Sequence, residues 1–207
     1  MRRVLSIAFL SICAVASASD RRIREVDFAN HTYPWHRTEE WPDRLEWQRS
    51  AEPNRINLVK GRWREPDSEK DQRYSGLTLE EVVYGDLTGD DADEAVVVIR
   101  YDTGGTQYHH FVYVFSPGVK GPRLLAWFRS GDRSANGLYQ VSLSNCGLVV
   151  DLYDPDKQQG DCCSSGFIRQ RYRWSGTAFT KDGAIQHGSP RRVSRRAVSP
   201  FGLPQDQ

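Results

Sequence analysis

From Ile56 onward the chain alternates short apolar runs, rich in Val, Tyr, Phe and Trp, with clusters of Gly, Pro, Asn, Asp and Ser. Apolar positions recurring every second residue and bounded by turn formers are the signature of β-strands. The pattern predicts strands over 56–63, 81–84, 94–101, 108–115, 123–128, 138–143, 148–153, 167–174 and a short 178–180. Gly104-Gly105, Pro117-Gly118, Gly131-Asp132, Asn145-Cys146-Gly147 and Ser175-Gly176 fall in the connections, where the backbone must reverse. Only 77–83 reads as a helical turn. Strands at this spacing predict a mainly β fold of the β-rich α+β class: an antiparallel sheet, or a compact sandwich or barrel-like domain.

Two of these segments carry more detail. In 94–101, Ala95, Val97, Ile99 and Tyr101 face one way while Val96 and Val98 face the other. With both faces apolar, that strand belongs at the centre of the sheet. In 167–174, Ile168, Tyr172 and Trp174 share one face and Arg169, Arg171 and Arg173 share the other. Guanidinium groups spaced about 7 Å apart on one strand face can grip phosphates or carboxylates. They can equally pair with acids such as Asp151 on a neighbouring strand, and that is the preferred reading.

Residues 19–54 follow no strand or helix period. Trp35, Trp41 and Trp47 recur every six residues among charged side chains, and Pro34, Pro42 and Pro53 interrupt the segment. It is expected to wrap over a core built by residues 55–181. Residues 182–207 form an expected basic, flexible tail, with Arg191, Arg192, Arg195 and Arg196 set among Ser, Pro and Gly.

Composition alters the picture mainly at the amino terminus. The full chain has 207 residues, 28 Lys plus Arg and 27 Asp plus Glu. Arg2-Arg3, an apolar run from Val4, and Ala16-Ser17-Ala18 make the three-part pattern of a secretory signal over residues 1–18. Without it, the loss of Arg2 and Arg3 leaves 26 basic against 27 acidic residues, a balance of −1. Such neutrality speaks against a nucleic-acid partner, and no other apolar run is long enough to span a membrane. An exported protein, periplasmic or extracellular, is the expectation. Ile12 sits where a lipobox needs a small residue, which argues against lipid anchoring through Cys13.

Of four cysteines, Cys146, Cys162 and Cys163 lie outside the leader. In an oxidising compartment, Cys146 is expected to pair with Cys162 or Cys163, adding about 3 kcal/mol by loop closure. A vicinal Cys162-Cys163 redox or metal pair is the alternative, although no His lies between His110 and His187 to join a zinc site.

The densest chemistry lies at residues 85–97. Oxygen-bearing side chains at Asp86, Thr88 and Asp90 alternate, and the Ala92 carbonyl and Glu94 carboxylate can complete a shell for calcium. The segment resembles an FG-GAP-type calcium loop leading into an apolar strand. Thr88 replaces a stronger ligand, and Asp91 replaces the glycine that makes the sharp bend, although Asp occasionally adopts the left-handed conformation too. The motif occurs once, so a propeller is excluded. The competing reading is a tight Asp/Gly turn whose carboxylates cap backbone amides.

A wider resemblance covers about residues 80–180. Tyr84-Gly85-Asp86-Leu87-Thr88-Gly89-Asp90 with Glu94-Ala95-Val96-Val97, then Gly104-Gly105-Thr106, Cys162-Cys163-Ser164-Ser165-Gly166 and Arg171-Tyr172-Arg173-Trp174, are similar to segments of the LppP/LprE-type lipoproteins, a group of exported bacterial proteins. The resemblance implies location and fold relatedness, and it carries no activity.

Enzyme signatures are sparse. The sequence has no Gly-x-Ser-x-Gly elbow, Walker loop or dinucleotide fingerprint. His109 and His110 are adjacent on a strand, so they point to opposite faces and cannot share one metal ion; a position on the strand surface is expected. Asp151, Asp154, Asp156 and Asp161 surround one strand and its following loop, where acids are usually solvated. The preferred reading is an exported, non-enzymatic β-domain that binds an unknown protein or envelope component. An envelope hydrolase using loop carboxylates and a calcium-stabilised module are the alternatives.

Overall fold

A computed structural model describes residues 23–35, 45–49, 54–65, 75–134, 136–159 and 163–189. The leader, Trp41, Asp161, Cys162 and the tail from residue 190 lie outside the described residues. No described helix is long and apolar enough to cross a membrane.

The strands are β1 (Thr32–Pro34), β2 (Arg55–Asn57), β3 (Arg62–Arg64), β4 (Ser75–Gly85), β5 (Glu94–Thr103), β6 (Tyr108–Ser116), β7 (Arg123–Arg129), β8 (Leu138–Ser144), β9 (Gly147–Tyr153), β10 (Gln158–Gln159), β11 (Cys163–Ser164), β12 (Phe167–Trp174) and β13 (Phe179–Gly188). A five-stranded sheet has the order β3-β4-β5-β6-β7, and a four-stranded sheet has the order β13-β12-β9-β8. Two small pairs, β1-β2 and β10-β11, complete the set. All strand pairs are antiparallel, and the fold is mainly β, as the sequence pattern predicts.

β5 is the central strand of its sheet, and its alternation divides the core in two. Val96 and Val98, with Val112, Val114 and Phe128, pack against Val141, Leu148, Val150, Leu152 and Tyr172 of the four-stranded sheet. Ala95, Val97, Ile99 and Tyr101, with Phe111, Tyr113 and Trp127, are covered by Ile23, Phe28, Tyr33, Trp35, Ile56 and Leu58. The expected wrapping segment is therefore a third layer of the core. Its buried hydroxyl group is satisfied: Tyr33 donates to the Phe28 carbonyl at 2.7 Å, and Tyr113 donates to the Pro34 carbonyl at 2.8 Å. Trp47 closes the side of the other layer against Phe128, Tyr172 and Phe179, with ring centroids 4.8, 5.6 and 4.7 Å away.

Three expectations need correction. Residues 77–83 lie inside β4 and form no helical turn, because pairing along almost the whole of β5 overrides a weak local preference. The sheet does not end at Lys181: β13 continues to Gly188, its polar side chains solvated while its backbone pairs with β12. The third concerns the cysteines. Cys146 sits in the tight β8–β9 turn with φ 55, next to Asn145 with φ 47, just before Gly147. Ser164, which follows Cys163, donates its hydroxyl to the Asp154 carbonyl at 2.6 Å, past the far end of β9. The length of β9, about 20 Å at the usual rise per residue, separates Cys146 from Cys163. A disulfide needs α-carbons within about 7 Å, so the expected Cys146–Cys163 bridge does not form in this fold. The alternative partner, Cys162, lies outside the described residues.

Candidate functional site

The acidic loop folds as a set of amide caps. Asp86 accepts from the Gly89 amide at 2.6 Å and from the Asp91 amide at 3.2 Å, and Asp90 accepts from the Ala92 amide at 3.0 Å. Glu94, wholly buried, turns back to accept from the Leu87 and Thr88 amides at 2.8 and 3.1 Å. Burial pushes its carboxyl up to about 7, and the charges of Asp90 and Asp86 add to that against the two amide hydrogen bonds. Asp91 takes the left-handed conformation, φ 64. No cluster of three or more His, Cys, Asp or Glu side chains suited to a metal ion occurs among the described residues.

The arginine ladder is present, and its members are largely paired. Arg169 makes two hydrogen bonds to Asp151 on β9, at 2.8 and 2.7 Å. Asp182 on β13 lies 3.3 Å from Arg171 and 2.6 Å from Arg173. Arg171 also donates to the Ser144 and Asn145 carbonyls, which closes the β8–β9 turn. Cross-strand pairing is thus the first use of the ladder. Beside it lies an open polar hollow of about 460 Å³ lined by Ser142, Ser144, Arg169, Arg171, Asp182 and Gln186.

Both adjacent histidines are buried, which corrects their expected position on the strand surface. His110 contacts Glu80 through Nε2 at 3.1 Å, and Glu80 also pairs with Arg100 at 2.8 Å. The hydrogen bond to His110 is the main influence holding the Glu80 carboxyl below its usual value. Burial lowers His109 to about 4. The acids after β9 separate: Asp151 pairs with Arg169, whereas buried Asp154 accepts from the Asp156 amide at 3.0 Å and contacts His187 Nδ1 at 2.9 Å.

The tertiary structure also assembles a group that the sequence pattern did not single out. Tyr139 and Phe167 have parallel rings, 3° apart in plane and 5.4 Å between centroids, and Tyr153 meets Tyr139 edge-on at 5.5 Å. The Phe167 ring lies against Gly188, where a Cβ would come within 2.3 Å of its Cζ; glycine is what lets the ring lie down. Arg169 sits over Phe167 at 5.4 Å. Tyr108, on β6 of the other sheet, has Arg133 at 4.9 Å and Arg100 at 5.8 Å from its ring centre. Burial raises the Tyr153 hydroxyl, and the loop that carries Arg133 is hydrogen-bonded to β9 at that residue: the Tyr153 amide donates to the Gly137 carbonyl at 2.8 Å and the Tyr153 carbonyl accepts from the Asn136 amide at 3.0 Å, so the two groups adjoin. The result is a belt of four aromatic rings and three guanidinium groups across the ends of both sheets. The only sequence signal was the outward position of Phe167 and Tyr153 on otherwise polar strand faces.

No family model, no curated protein and no solved structure matches the chain.

Proposed function

We propose that this chain is an exported β-domain that binds an envelope or extracellular component without transforming it, and that the belt and the adjoining outer face of the four-stranded sheet are its binding surface. The observation that carries the reading is the grouping of Tyr139 and Phe167 beside Arg169 with Tyr108 and Arg133 at the adjoining edge, since other large apolar side chains are mostly buried in the two cores. Export is supported by the leader pattern of residues 1–18 and by the resemblance to the LppP/LprE-type lipoproteins. The test is the display of the full chain against arrays of glycans and peptides, beside a variant carrying Tyr139→Ala and Arg133→Ala. Every ligand retained by the wild type is expected to be lost by the variant. Retention indifferent to both substitutions overturns the reading.

A calcium-stabilised loop is the second reading. It is favoured by the left-handed Asp91 and by the fold-back of Glu94 onto the Leu87 and Thr88 amides, which returns that carboxylate to the loop of Asp86 and Asp90. A rise in melting temperature on adding calcium, reversed by EDTA and lost in Asp86→Ala, supports it; an unchanged melting temperature removes it. The hydrolase alternative rests on the Asp154–His187 pair, which leaves His187 Nε2 toward solvent. The adjacent Ser164 hydroxyl is engaged with the Asp154 and Gly166 carbonyls, so this pair lacks a nucleophile from that serine.

A further inference from the structure

We infer that the belt recognises an acidic glycan, a chain of sugar rings bearing well-spaced carboxylates. This rests on the binding reading above and names its ligand class.

The rings supply the first argument. Tyr139 and Phe167 are stacked in parallel, and Gly188 permits that arrangement by leaving the floor beneath Phe167 clear. Tyr139 is exposed, with Tyr153 and Phe167 partly so. A sugar ring presents a face of C–H groups that packs on an aromatic surface, while its hydroxyl groups stay at the edge. The hollow next to Arg169 offers those hydroxyls partners of the right kind: the Ser142 and Ser144 hydroxyls, the Gln186 amide and the Asp182 carboxylate.

The charges supply the second argument, because they are unequally spent. Arg169 is committed to Asp151 and Arg100 to Glu80. Arg133 is exposed, stacked on Tyr108, and has no carboxylate partner among the described residues. One unspent guanidinium beside four rings suits a ligand with an isolated carboxylate, which it can grip through two parallel hydrogen bonds. A nucleic-acid strand also stacks on aromatic rings, but its affinity depends on neutralising several successive phosphates. Two of the three belt cations already have carboxylates beside them, which repel such a backbone.

The experiment titrates the full chain by calorimetry with a hyaluronan oligosaccharide, which carries a carboxylate on every second sugar, with a neutral cello-oligosaccharide and with oligo(dT). Wild type is expected to bind the hyaluronan oligosaccharide. Arg133→Ala should weaken that binding about tenfold, the loss of one charge-assisted contact. Tyr139→Ala should weaken it by a similar factor, about tenfold. Arg133→Lys should recover only part of the loss, since lysine cannot form the paired fork. The cello-oligosaccharide should bind more weakly and be indifferent to Arg133→Ala. Both side chains are exposed, and unchanged melting temperatures confirm that the variants fold. Absence of hyaluronan-oligosaccharide binding, or binding indifferent to both substitutions, overturns the glycan inference. So does tighter, Tyr139-dependent binding of oligo(dT). That last outcome, or array ligands of another class lost with the belt variant, leaves the belt a binding surface; arrays showing no belt-dependent ligand remove both.

Discussion

The Arg169 guanidinium holds the Asp151 carboxylate by two hydrogen bonds across β9 and β12, while the Phe167 ring lies beside the same guanidinium. Asp151 is 2% exposed and Arg169 is 43% exposed at its side chain, so the acid depends on the base far more than the reverse. Arg169→Leu therefore leaves a buried carboxylate without its counter-ion and should cost roughly 2–3 kcal/mol at neutral pH. Asp151→Leu combined with Arg169→Leu should recover most of that loss. Urea unfolding of the two variants decides it; a single substitution costing no more than the double one sinks the account.

Stability between pH 4 and 7 should be set by two buried groups working in opposite directions. The Glu94 carboxyl, raised to about 7 mainly by burial, takes up a proton on folding; its contribution is full below the unfolded carboxyl value and is lost as pH rises through about 7. His109, lowered to about 4 by burial, stays neutral in the fold; its contribution is lost as pH falls from the ordinary imidazole value toward 4. The two slopes offset each other between about pH 4.5 and 6.5. Glu94→Gln should remove the first and expose the second, giving melting temperatures that climb with pH over that interval. Measured with EDTA present, a flat profile in the variant counts against this assignment.

Trp47 connects the segment 45–49 to the second core through Phe128, Tyr172 and Phe179. Trp47→Ala should destabilise the protein by about 3 kcal/mol, the lower end for a large aromatic because the ring is only partly buried. Trp47→Phe should cost less than half as much, since it keeps an apolar ring in the slot. Equal losses in the two variants would show that ring packing is not what holds this segment down.

Peptide mapping under non-reducing conditions should recover no cross-link between Cys146 and Cys163, because β9 stands between them. Recovery of that linked peptide from folded material would require a different register for β8, β9 and β12.

Much of the architecture was legible in local pattern. β5 reads as central because both of its faces are apolar, and the odd and even positions of β12 divide as alternation dictates, down to the Arg169–Asp151 pair. Asp91 adopts the left-handed conformation that remained open to it where the loop motif carries glycine. In the same way, Pro and Trp without strand or helix period marked the amino-terminal segment as one that wraps.

What local pattern does not contain is which strand ends come together. Side-chain period tells which way a residue points; it carries no information about the residue that another sheet brings opposite. For that reason β13 read as tail, His109 and His110 read as surface, and two cysteines 17 positions apart read as neighbours. The belt belongs to the same class: Tyr108, Arg133, Tyr139, Tyr153 and Phe167 come from five separate stretches of chain and meet only where the two sheets end. Sequence alone determined a β-rich chain with an apolar central strand, an acidic loop and an arginine-faced strand. Strand pairing within each sheet decided which of those charges were spent inside the fold, and the meeting of the two sheets set Arg133 over Tyr108 with no carboxylate partner among the described residues.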